Sequence, residues 1–391
     1  MKRLNEILLF AAFFIADNVG YAQIIAPPYE VGTWQGFRSA AISFTFDDGC
    51  SNQFAIAIPM FNEFDFKLTL FTVTGWSPNW TALQNAASAG HEVASHTVTH
   101  PSLGGMTVAQ QTTELKNSQD VINAHITSQK CVTLAYPYCS TGNKPLCAQH
   151  YIAARGCQGF IEPSTPGDFM NISSLICGNL GSVKTAADFN QKFENTATSK
   201  GWCVFLIHGI DNDGGYSPLP STTLRDSLEY LDARKGKFWV STFRNVICYI
   251  RERNAVSVTE SSNQDTRIIL QVTDTLDDAI YNYPVTIRRP LPQGWSTANV
   301  SQKGRAADAS IVEVDSKKYV MFDVVPDGGD VVLSKGPYGD STGNNIVEMN
   351  DLSVFFNFWL VNDCNETAKV DLDEDCIVNF HEFAVMAENW L

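Results

Sequence analysis

The stretch "ISFTFDDG", from Ile42 to Gly49, decides the fold because a strand pattern runs directly into two adjacent carboxylates. Side chains alternate along a strand, so its two phenylalanines share one face while its serine and threonine share the other. Asp47 and Asp48 come where this strand should end, before a turn-forming glycine. The pair is either an ordinary Asp-Gly turn or a metal ligand beside a general base, and the second interpretation requires nitrogen ligands elsewhere.

Between Ala41 and Asn254, short apolar runs alternate with longer segments that are compatible with helices. The runs are AISFTF, LTLFTV, HEVASH, CVTLAYPY, VFLIHG and FWVSTF, and the helical segments include 108–126 and 219–233. This alternation predicts parallel strands joined by helices. We expect an α/β fold with a closed or nearly closed barrel, and an open doubly wound sheet is the alternative.

Candidate nitrogen ligands occur in "ASHTVTHPSL", where His96 and His100 are four residues apart. This spacing predicts two imidazoles on one face of a helical turn, an arrangement that often holds zinc. His208 ends the run VFLIHG, and Tyr138 follows the run that begins at Cys131. Like the two aspartates, these residues fall at or beyond the C-terminal ends of predicted strands, where a parallel barrel carries its active site.

These motifs together resemble those of polysaccharide deacetylases of the NodB-homology group, carbohydrate esterase family 4. The family's TFDDG motif is matched from Thr45 to Gly49, and its H-[ST]-x-x-H-P motif from His96 to Pro101. A proline–tyrosine motif is partly matched at residues 137–138, and a hydrophobic-x-His motif ends at His208. The resemblance covers roughly residues 42–250 and implies a distorted (β/α) barrel.

The resemblance also implies a metal centre. In the family, the residues that correspond to Asp48, His96 and His100 hold a divalent metal, most simply zinc. Three protein ligands leave a coordination position for water and substrate. Asp47 then corresponds to the catalytic base that takes a proton from the water.

The same resemblance assigns two further roles and exposes one departure. It implies that the main-chain N–H of Tyr138 stabilises the oxyanion and that His208 protonates the leaving group. The family carries an arginine that holds the base, and Ala135 stands in that place here. Arg155 in AARGC either supplies this charge from another loop or is a surface residue. Without a replacement, the base would be poorly oriented.

The tail repeats itself at an offset of 31 residues, since IVEMNDLSVFFNFWL from Ile346 aligns with IVNFHEFAVMAENWL from Ile377. The segment DLDEDCIVNFHE before the second copy has EF-hand spacing, although Cys376 replaces the usual glycine at position 6. We therefore expect calcium (Ca²⁺) to bind Asp371, Asp373, Asp375, Ile377 through its carbonyl, and Glu382. A first loop over 340–351 repeats this spacing less well. The paired loops resemble a dockerin module, which implies a cohesin-like or surface partner; a solvated acidic tail is the alternative.

The N-terminal segment and the changes of sequence pattern along the chain predict its domain organisation. A basic start, an apolar run and Ala22 predict a secretory signal peptide over residues 1–22, with a buried helix as the alternative. We expect an exported protein with a deacetylase-like domain over 23–254 and the calcium-loop module over 336–391. Strand-like runs separated by turn residues predict a small all-β sandwich over 255–335. No later run of about 18 apolar residues occurs, so no membrane span is predicted.

Charge and cysteine usage narrow the classes of function. The net charge is −15, and eleven acidic residues with one lysine lie between Asp340 and Leu391, so most of the acidity is in the tail. Nothing in this distribution suggests a nucleic-acid surface. The ten cysteines suit an oxidising compartment. Cys139–Cys147 and Cys364–Cys376 are plausible bridges, although spacing cannot fix the pairing.

The sequence thus predicts a secreted, metal-dependent deacetylase of an acetylated polysaccharide. An O-acetyl esterase acting on a xylan-type glycan is the alternative with the same chemistry. A carbohydrate-binding protein on a degenerate barrel is the alternative from another class. Trp76 and Trp202 are candidate substrate-facing aromatic residues, and core packing is the alternative role for both.

Overall fold

A computed structural model of the protein describes residues 24–342, 346–363, 367, 370–372 and 375–390. The predicted signal peptide, Cys364 and the predicted calcium ligand Asp373 lie outside the described residues. Within the described ranges, no helix is both long enough and apolar enough to cross a membrane.

The chain forms eighteen strands and nine α-helices within the described ranges. The strands are β1 Ile24–Ile25, β2 Glu30–Val31, β3 Ala40–Asp47, β4 Thr69–Thr72, β5 Glu92–Ser95, β6 Thr133–Ala135, β7 Ala153–Arg155, β8 Leu175–Ile176, β9 Trp202–Ile207, β10 Phe238–Val240, β11 Ser257–Asn263, β12 Arg267–Thr273, β13 Val285–Pro290, β14 Ala298–Gln302, β15 Arg305–Ala306, β16 Ala309–Val314, β17 Lys317–Val324 and β18 Val331–Lys335. The helices are α1 Ile58–Glu63, α2 Trp80–Ser88, α3 Val108–His125, α4 Lys144–Cys147, α5 Ala186–Ser199, α6 Ser221–Asp232, α7 Phe243–Ala255, α8 Met349–Asn357 and α9 Phe380–Glu388.

A curled parallel sheet carries the motifs. Its strand order is β7-β6-β5-β4-β3-β9-β8, and β10 pairs with the first residues of β3. The two edges approach each other at Ile172, whose N–H donates to the carbonyl of Ala154 at 2.9 Å and whose carbonyl accepts from Gly156 at 2.8 Å. The predicted α/β class is confirmed, and the curled sheet agrees with a nearly closed barrel better than with an open doubly wound sheet.

The alternation of ISFTFDDG explains why β3 lies at the centre of this sheet. Phe44 on the outer face packs against Phe61 and Phe205, with both ring-centroid distances at 5.2 Å. On the inner face, the hydroxyl of Thr45 donates to the carbonyl of Phe205 at 2.7 Å, and Ser43 accepts from an indole N–H. All eight residues of β3 are buried, so both faces are covered as expected for a central parallel strand.

Two further sheets follow the parallel sheet in the chain. One has the order β1-β11-β12-β18-β14-β15 and the other the order β16-β17-β13-β2. Their buried apolar residues, among them Leu270 and Phe322, belong to one cluster that also includes Phe243 of α7. Residues 24–31 pair with these two sheets rather than with the parallel sheet. The domain boundaries drawn from the sequence stay a prediction.

The tail forms a small core of its own. Helices α8 and α9 follow the two repeated loops, and Val347, Phe355, Val378 and Met386 are buried in one cluster. The two copies also meet through a parallel bridge between Val347 and Trp390. The repeat therefore corresponds to two loop–helix units that share apolar residues.

The cysteine pairing differs from one of the two expectations. Cys139 is bonded to Cys157, and Cys147 is a buried free thiol, so the Cys139–Cys147 bridge is wrong. Cys157 follows β7, which lies next to β6 in the sheet, so spatial rather than sequence proximity sets the pairing. Cys376 is disulfide-bonded, while Cys364 is outside the described residues.

Candidate active site and metal centre

Three of the predicted metal ligands converge at the C-terminal ends of the parallel strands. The Oδ1 atom of Asp48 lies 3.7 Å from Nε2 of His96 and 3.6 Å from Nε2 of His100. Ligands at 2.0–2.1 Å from a tetrahedral zinc ion would be roughly 3.4 Å apart, so the three atoms fit such an ion. This Oδ1 atom is buried and has no hydrogen-bond partner within the described ranges. A group that is still to be bound would satisfy it.

The two histidines meet through a loop, and the predicted helical turn is wrong. Strand β5 ends at Ser95, and the backbone at Thr97 and His100 has φ angles of 67° and 59°. The imidazole rings nevertheless lie 4.8 Å apart between centroids. Left-handed backbone at non-glycine residues is costly and is concentrated at functional sites.

Asp48 also has left-handed backbone, with φ at 74°. The sequence argument expected neighbouring aspartates to point apart, as they would on a regular strand. Instead, both carboxylates reach His96, since its Nε2 lies 3.6 Å from Asp47 and 3.7 Å from Asp48. The turn after β3 therefore brings both acids into one site.

The imidazoles are in the form that a metal requires. Burial lowers the pKa of His96 to about 4 and also lowers the pKa of His100. The ring nitrogen Nδ1 of His96 donates to the carbonyl of Ala135 at 2.8 Å, which leaves Nε2 as the lone-pair nitrogen. Burial, followed by the charge of Asp47, raises the pKa of Asp48 to about 6. A cation beside this carboxyl group would favour its ionised form.

Arg155 supplies the charge that Ala135 cannot. It is 1% exposed, and its Nη2 donates to Oδ2 of Asp47 at 2.5 Å. Ala135 and Arg155 are paired across β6 and β7, so the guanidinium comes from the next strand at the same level. Burial raises the pKa of Asp47, but the charge and hydrogen bond of Arg155 hold it below its usual value. Asp47 is thus an ionised carboxylate held in place by a buried arginine.

Tyr138 and His208 lie at the same site. Tyr138 has a φ of 53°, is 72% exposed, and its ring lies 4.6 Å from that of His100. Nε2 of His208 lies 3.9 Å from Asp47. Nδ1 of His208 has no hydrogen-bond partner in the described part of the chain, and Tyr216 packs against the ring at 5.0 Å. The structure therefore groups all six residues that the motifs singled out.

Two supporting residues were missed by the sequence reasoning. Glu114 on α3 accepts from the N–H groups of Val98 and Thr99 at 2.8 and 2.9 Å, which fixes the loop between the two histidines. Gln53 donates to the main-chain carbonyls of Asp47 and His208 at 2.5 and 2.9 Å. An acid on the buried face of α3 was the available signal for Glu114; Gln53 offered none.

Exposed aromatic rings surround the opening of the site. Trp76 is 53% exposed and lies 5.1 Å from the His100 ring, and Tyr216 is 51% exposed. Trp202, by contrast, is fully buried and donates to Ser43, so its role is in the core. Of the two tryptophans considered from the sequence, Trp76 alone borders the cleft.

The described residues of the second tail loop form a compact turn. Asp371 accepts from the N–H of Cys376 at 3.0 Å, and Asp375 accepts from Ile377 at 2.8 Å. Glu382 is fully buried and accepts from the N–H of Asn379 at 2.7 Å. Cys376 has a φ of 69°, the left-handed backbone for which an EF-hand loop uses glycine.

Residues 35–152 match the family model of polysaccharide deacetylases. The matched segment contains the TFDDG, HTVTHP and proline–tyrosine motifs but ends before Arg155 and His208. This match supports a polysaccharide deacetylase domain, and thus a hydrolase domain, in this part of the chain.

Two curated relatives and one solved structure illustrate the similarity. A gellan lyase from Bacillus sp is 30% identical over 326 residues, which are 78% of this chain and 13% of the relative. "Putative polysaccharide deacetylase YxkH" from Bacillus subtilis (strain 168) is 29% identical over 101 residues, 25% of this chain and 36% of the relative. The chain thus spans well under two thirds of either relative. The Xyl-CE4 domain of a multidomain xylanase from the hindgut metagenome of Trinervitermes trinervoides shares 18% identity, with a TM-score of 0.39 over 53% of this chain and 89% of that chain.

Proposed function

We propose that this protein is a metal-dependent hydrolase that removes acetyl groups from N-acetylated sugars of a polysaccharide. The observation that carries the proposal is the juxtaposition of two different carboxylates. Asp48 faces two neutral imidazoles, while Asp47 beside it is ionised and held by Arg155. One acid suits a metal and the other suits a proton, which is the division of roles that hydrolysis of an acetyl group needs.

A zinc ion held by Asp48, His96 and His100 would polarise the acetyl carbonyl and make a water molecule more acidic. Asp47 accepts the proton from that water, because its carboxylate is ionised and lies at the edge of the ligand cluster. Arg155 keeps Asp47 in this state and in this orientation.

The remaining side of the cleft handles the oxyanion and the leaving group. The N–H of Tyr138 donates to the developing oxyanion, and the left-handed backbone there fixes its direction. His208 donates a proton to the departing sugar nitrogen. Its Nε2 lies 3.9 Å from Asp47, so the base and the acid are close enough to act on one acetyl group.

An open cleft bordered by aromatic rings suits a glycan. Trp76, Tyr138 and Tyr216 are each more than half exposed around the site. Exposed rings at a cleft offer flat apolar surfaces for ligand rings, and the flanking polar groups fix orientation. The substrate is therefore a sugar chain that lies across the cleft with one acetyl group directed at the metal site of Asp48, His96 and His100.

The C-terminal repeat serves attachment rather than catalysis in this proposal. Asp371, Asp373, Asp375, Ile377 and Glu382 hold calcium, and the two loop–helix units present a surface to a cohesin-like partner or a cell surface. The EF-hand spacing and the left-handed backbone at position 6 support the calcium site. Export through the signal peptide over residues 1–22 would place the enzyme where acetylated polysaccharides occur.

The test is acetate release by zinc-loaded full-length protein from chitin oligosaccharides, peptidoglycan, acetylated xylan and native gellan. Gellan is included because this chain is similar to part of a gellan lyase. We expect acetate with an equal amount of new amino groups from an N-acetylated glycan. Acetate without new amino groups would instead identify an O-acetyl esterase. Glycan binding without acetate release would identify the carbohydrate-binding alternative.

A further inference from the structure

A second group of carboxylates lies where α7 meets the two C-terminal sheets. Oxygens of Asp274, Asp278 and Asp327 all lie within 4.8 Å of one another. Asp274 and Asp278 belong to the loop after β12, and Asp327 belongs to the turn between β17 and β18. The chain thus brings three acids together from two separate loops, although acids alone do not make a site.

Glu252 of α7 is an independent observation that points to a ligand. It is 1% exposed, and neither of its carboxylate oxygens has a hydrogen-bond partner within the described ranges. Burial, together with contact with the carboxyl group of Asp274 and the nearby Asp278, raises the pKa of Glu252 to about 9. The main-chain N–H of Tyr283 lies near its carboxyl group and opposes this rise. A buried acid therefore lies against other acids. The hydrogen bonds that these other acids accept from described residues come from main-chain N–H groups, that of Asp274 to Oδ2 of Asp327 at 2.9 Å and that of Leu276 to Oδ1 of Asp274 at 2.6 Å.

The local charges leave this group uncompensated. Among the ion pairs formed by described residues, none involves Glu252, Asp274, Asp278 or Asp327. Glu252 also lies in the last turn of α7, where the helix dipole opposes a negative charge. Placing a carboxylate there is costly unless a cation offsets it.

We propose that Glu252, Asp274, Asp278 and Asp327, defined here as the Glu252 cluster, bind one calcium ion that joins α7 to the C-terminal sheets. The donors are all carboxylate oxygens, which suit hard cations rather than zinc. Calcium accepts six to eight oxygens in irregular geometry, whereas magnesium demands a near-ideal octahedron. Here one helix and two loops contribute the acids, and this irregular arrangement matches calcium better than magnesium.

The site would tie together parts of the chain that have different roles. Helix α7 packs on the parallel sheet that carries the candidate active site, while Asp274, Asp278 and Asp327 belong to loops that connect strands of the other two sheets. An ion bound between them stabilises the folded state by mass action. Calcium binding here is separate from the tail loops and from the zinc ligands.

The test uses the full-length, zinc-loaded chain with both tail loops disabled by Asp340→Asn, Asp371→Asn and Asp375→Asn. We expect calorimetric titration with calcium chloride to find one remaining site, and we expect calcium to raise Tm. Adding Asp274→Asn and Asp278→Asn should weaken binding at least about tenfold, because ligand charge sets calcium affinity. The matched control is Asp265→Asn with Asp315→Asn, which removes two exposed acids of the same region and should change nothing.

Glu252→Gln provides a second variant of nearly equal shape. The calcium-induced rise in Tm should shrink, while Tm without calcium should not fall, because the amide keeps the shape of the buried acid and adds no charge. This difference separates lost binding from lost folding. Equal calcium binding by the Asp274/Asp278 variant and its control would overturn the proposal. So would the absence of calcium binding at millimolar concentration, or an equal response to magnesium.

Discussion

The two carboxylate groups of this chain are built from similar acids in different surroundings. At the Asp48 cluster, which comprises Asp47, Asp48, His96, His100 and Arg155, imidazoles and a guanidinium accompany the acids. At the Glu252 cluster, none of the four acids takes part in an ion pair among the described residues. In the first group, the two imidazoles can bind a metal together with one acid, and the Arg155 guanidinium keeps the other acid ionised so that it can accept a proton. The second group offers charge and oxygen alone.

Removing one imidazole from the Asp48 cluster should have the largest effect, because it takes away a nitrogen donor that the Glu252 cluster lacks. We expect His96→Ala to lose bound zinc and nearly all acetate release, to below roughly 10⁻⁴ of wild type, because the contribution of a catalytic metal is several kcal/mol. Metal analysis and acetate assays on the same preparation check this. His125→Ala, which alters an exposed histidine on α3, is the control. Unchanged zinc content in His96→Ala would show that the ligand set is wrong.

Replacing the proton acceptor separates the two acids of the first cluster. Asp47→Asn should retain zinc but lose roughly 10²–10⁴-fold in kcat, because an amide cannot take the proton of the water. The comparison with Asp48→Asn, which should lose zinc as well, distinguishes base from ligand. A metal-loaded Asp47→Asn protein with near-normal turnover would contradict the role of Asp47.

The guanidinium of Arg155 can be removed, or supplied from the neighbouring strand, to test whether its position matters. Arg155→Ala should reduce kcat/KM roughly 10²-fold through misorientation of the base. Because Arg155 lowers the pKa of Asp47, its loss raises that pKa, and the acid limb of the pH profile should shift to higher pH. Adding Ala135→Arg, on the paired residue of β6, should restore part of the activity and move the limb back. An unshifted acid limb in Arg155→Ala would show that the arginine is only structural.

The loop between the two histidines offers a smaller perturbation. Glu114→Gln should weaken zinc binding roughly tenfold, because the carboxylate orients the loop through two N–H groups without touching the metal. At saturating zinc, kcat should remain close to wild type. Competition with a chelator measures the affinity. A loss of kcat that excess zinc does not recover would place Glu114 closer to the chemistry.

The acidic tail should have the smallest effect on catalysis. Asp371→Asn with Asp375→Asn should abolish calcium binding by the second loop and leave acetate release from small soluble substrates within about twofold, since this loop adjoins an apolar cluster separate from that of the parallel sheet. Assays with and without calcium check this. A large loss of activity would link the tail to the active site.

The sequence predicted the sheet and the grouping of the six motif residues because strand alternation and strand ends are local patterns. It did not predict that Asp48, Thr97 and His100 use left-handed backbone, since strain is imposed by surrounding contacts. Arg155 stayed open for a related reason. Its role depends on the pairing of β6 with β7, a long-range contact, and so does the Cys139–Cys157 bridge. The strands β7 and β8 are only three and two residues long and carry no clear periodic signal.

Zinc titration of the metal-free full-length protein, with acetate release as the readout, tests the central claim most directly. Asp48, His96 and His100 form one ligand set beside one base, so activity should rise linearly and reach a plateau at one zinc per chain. The same titration of His96→Ala should stay at background. Absence of acetate release from every glycan at any zinc content, or equal activity before zinc is added, would contradict the account.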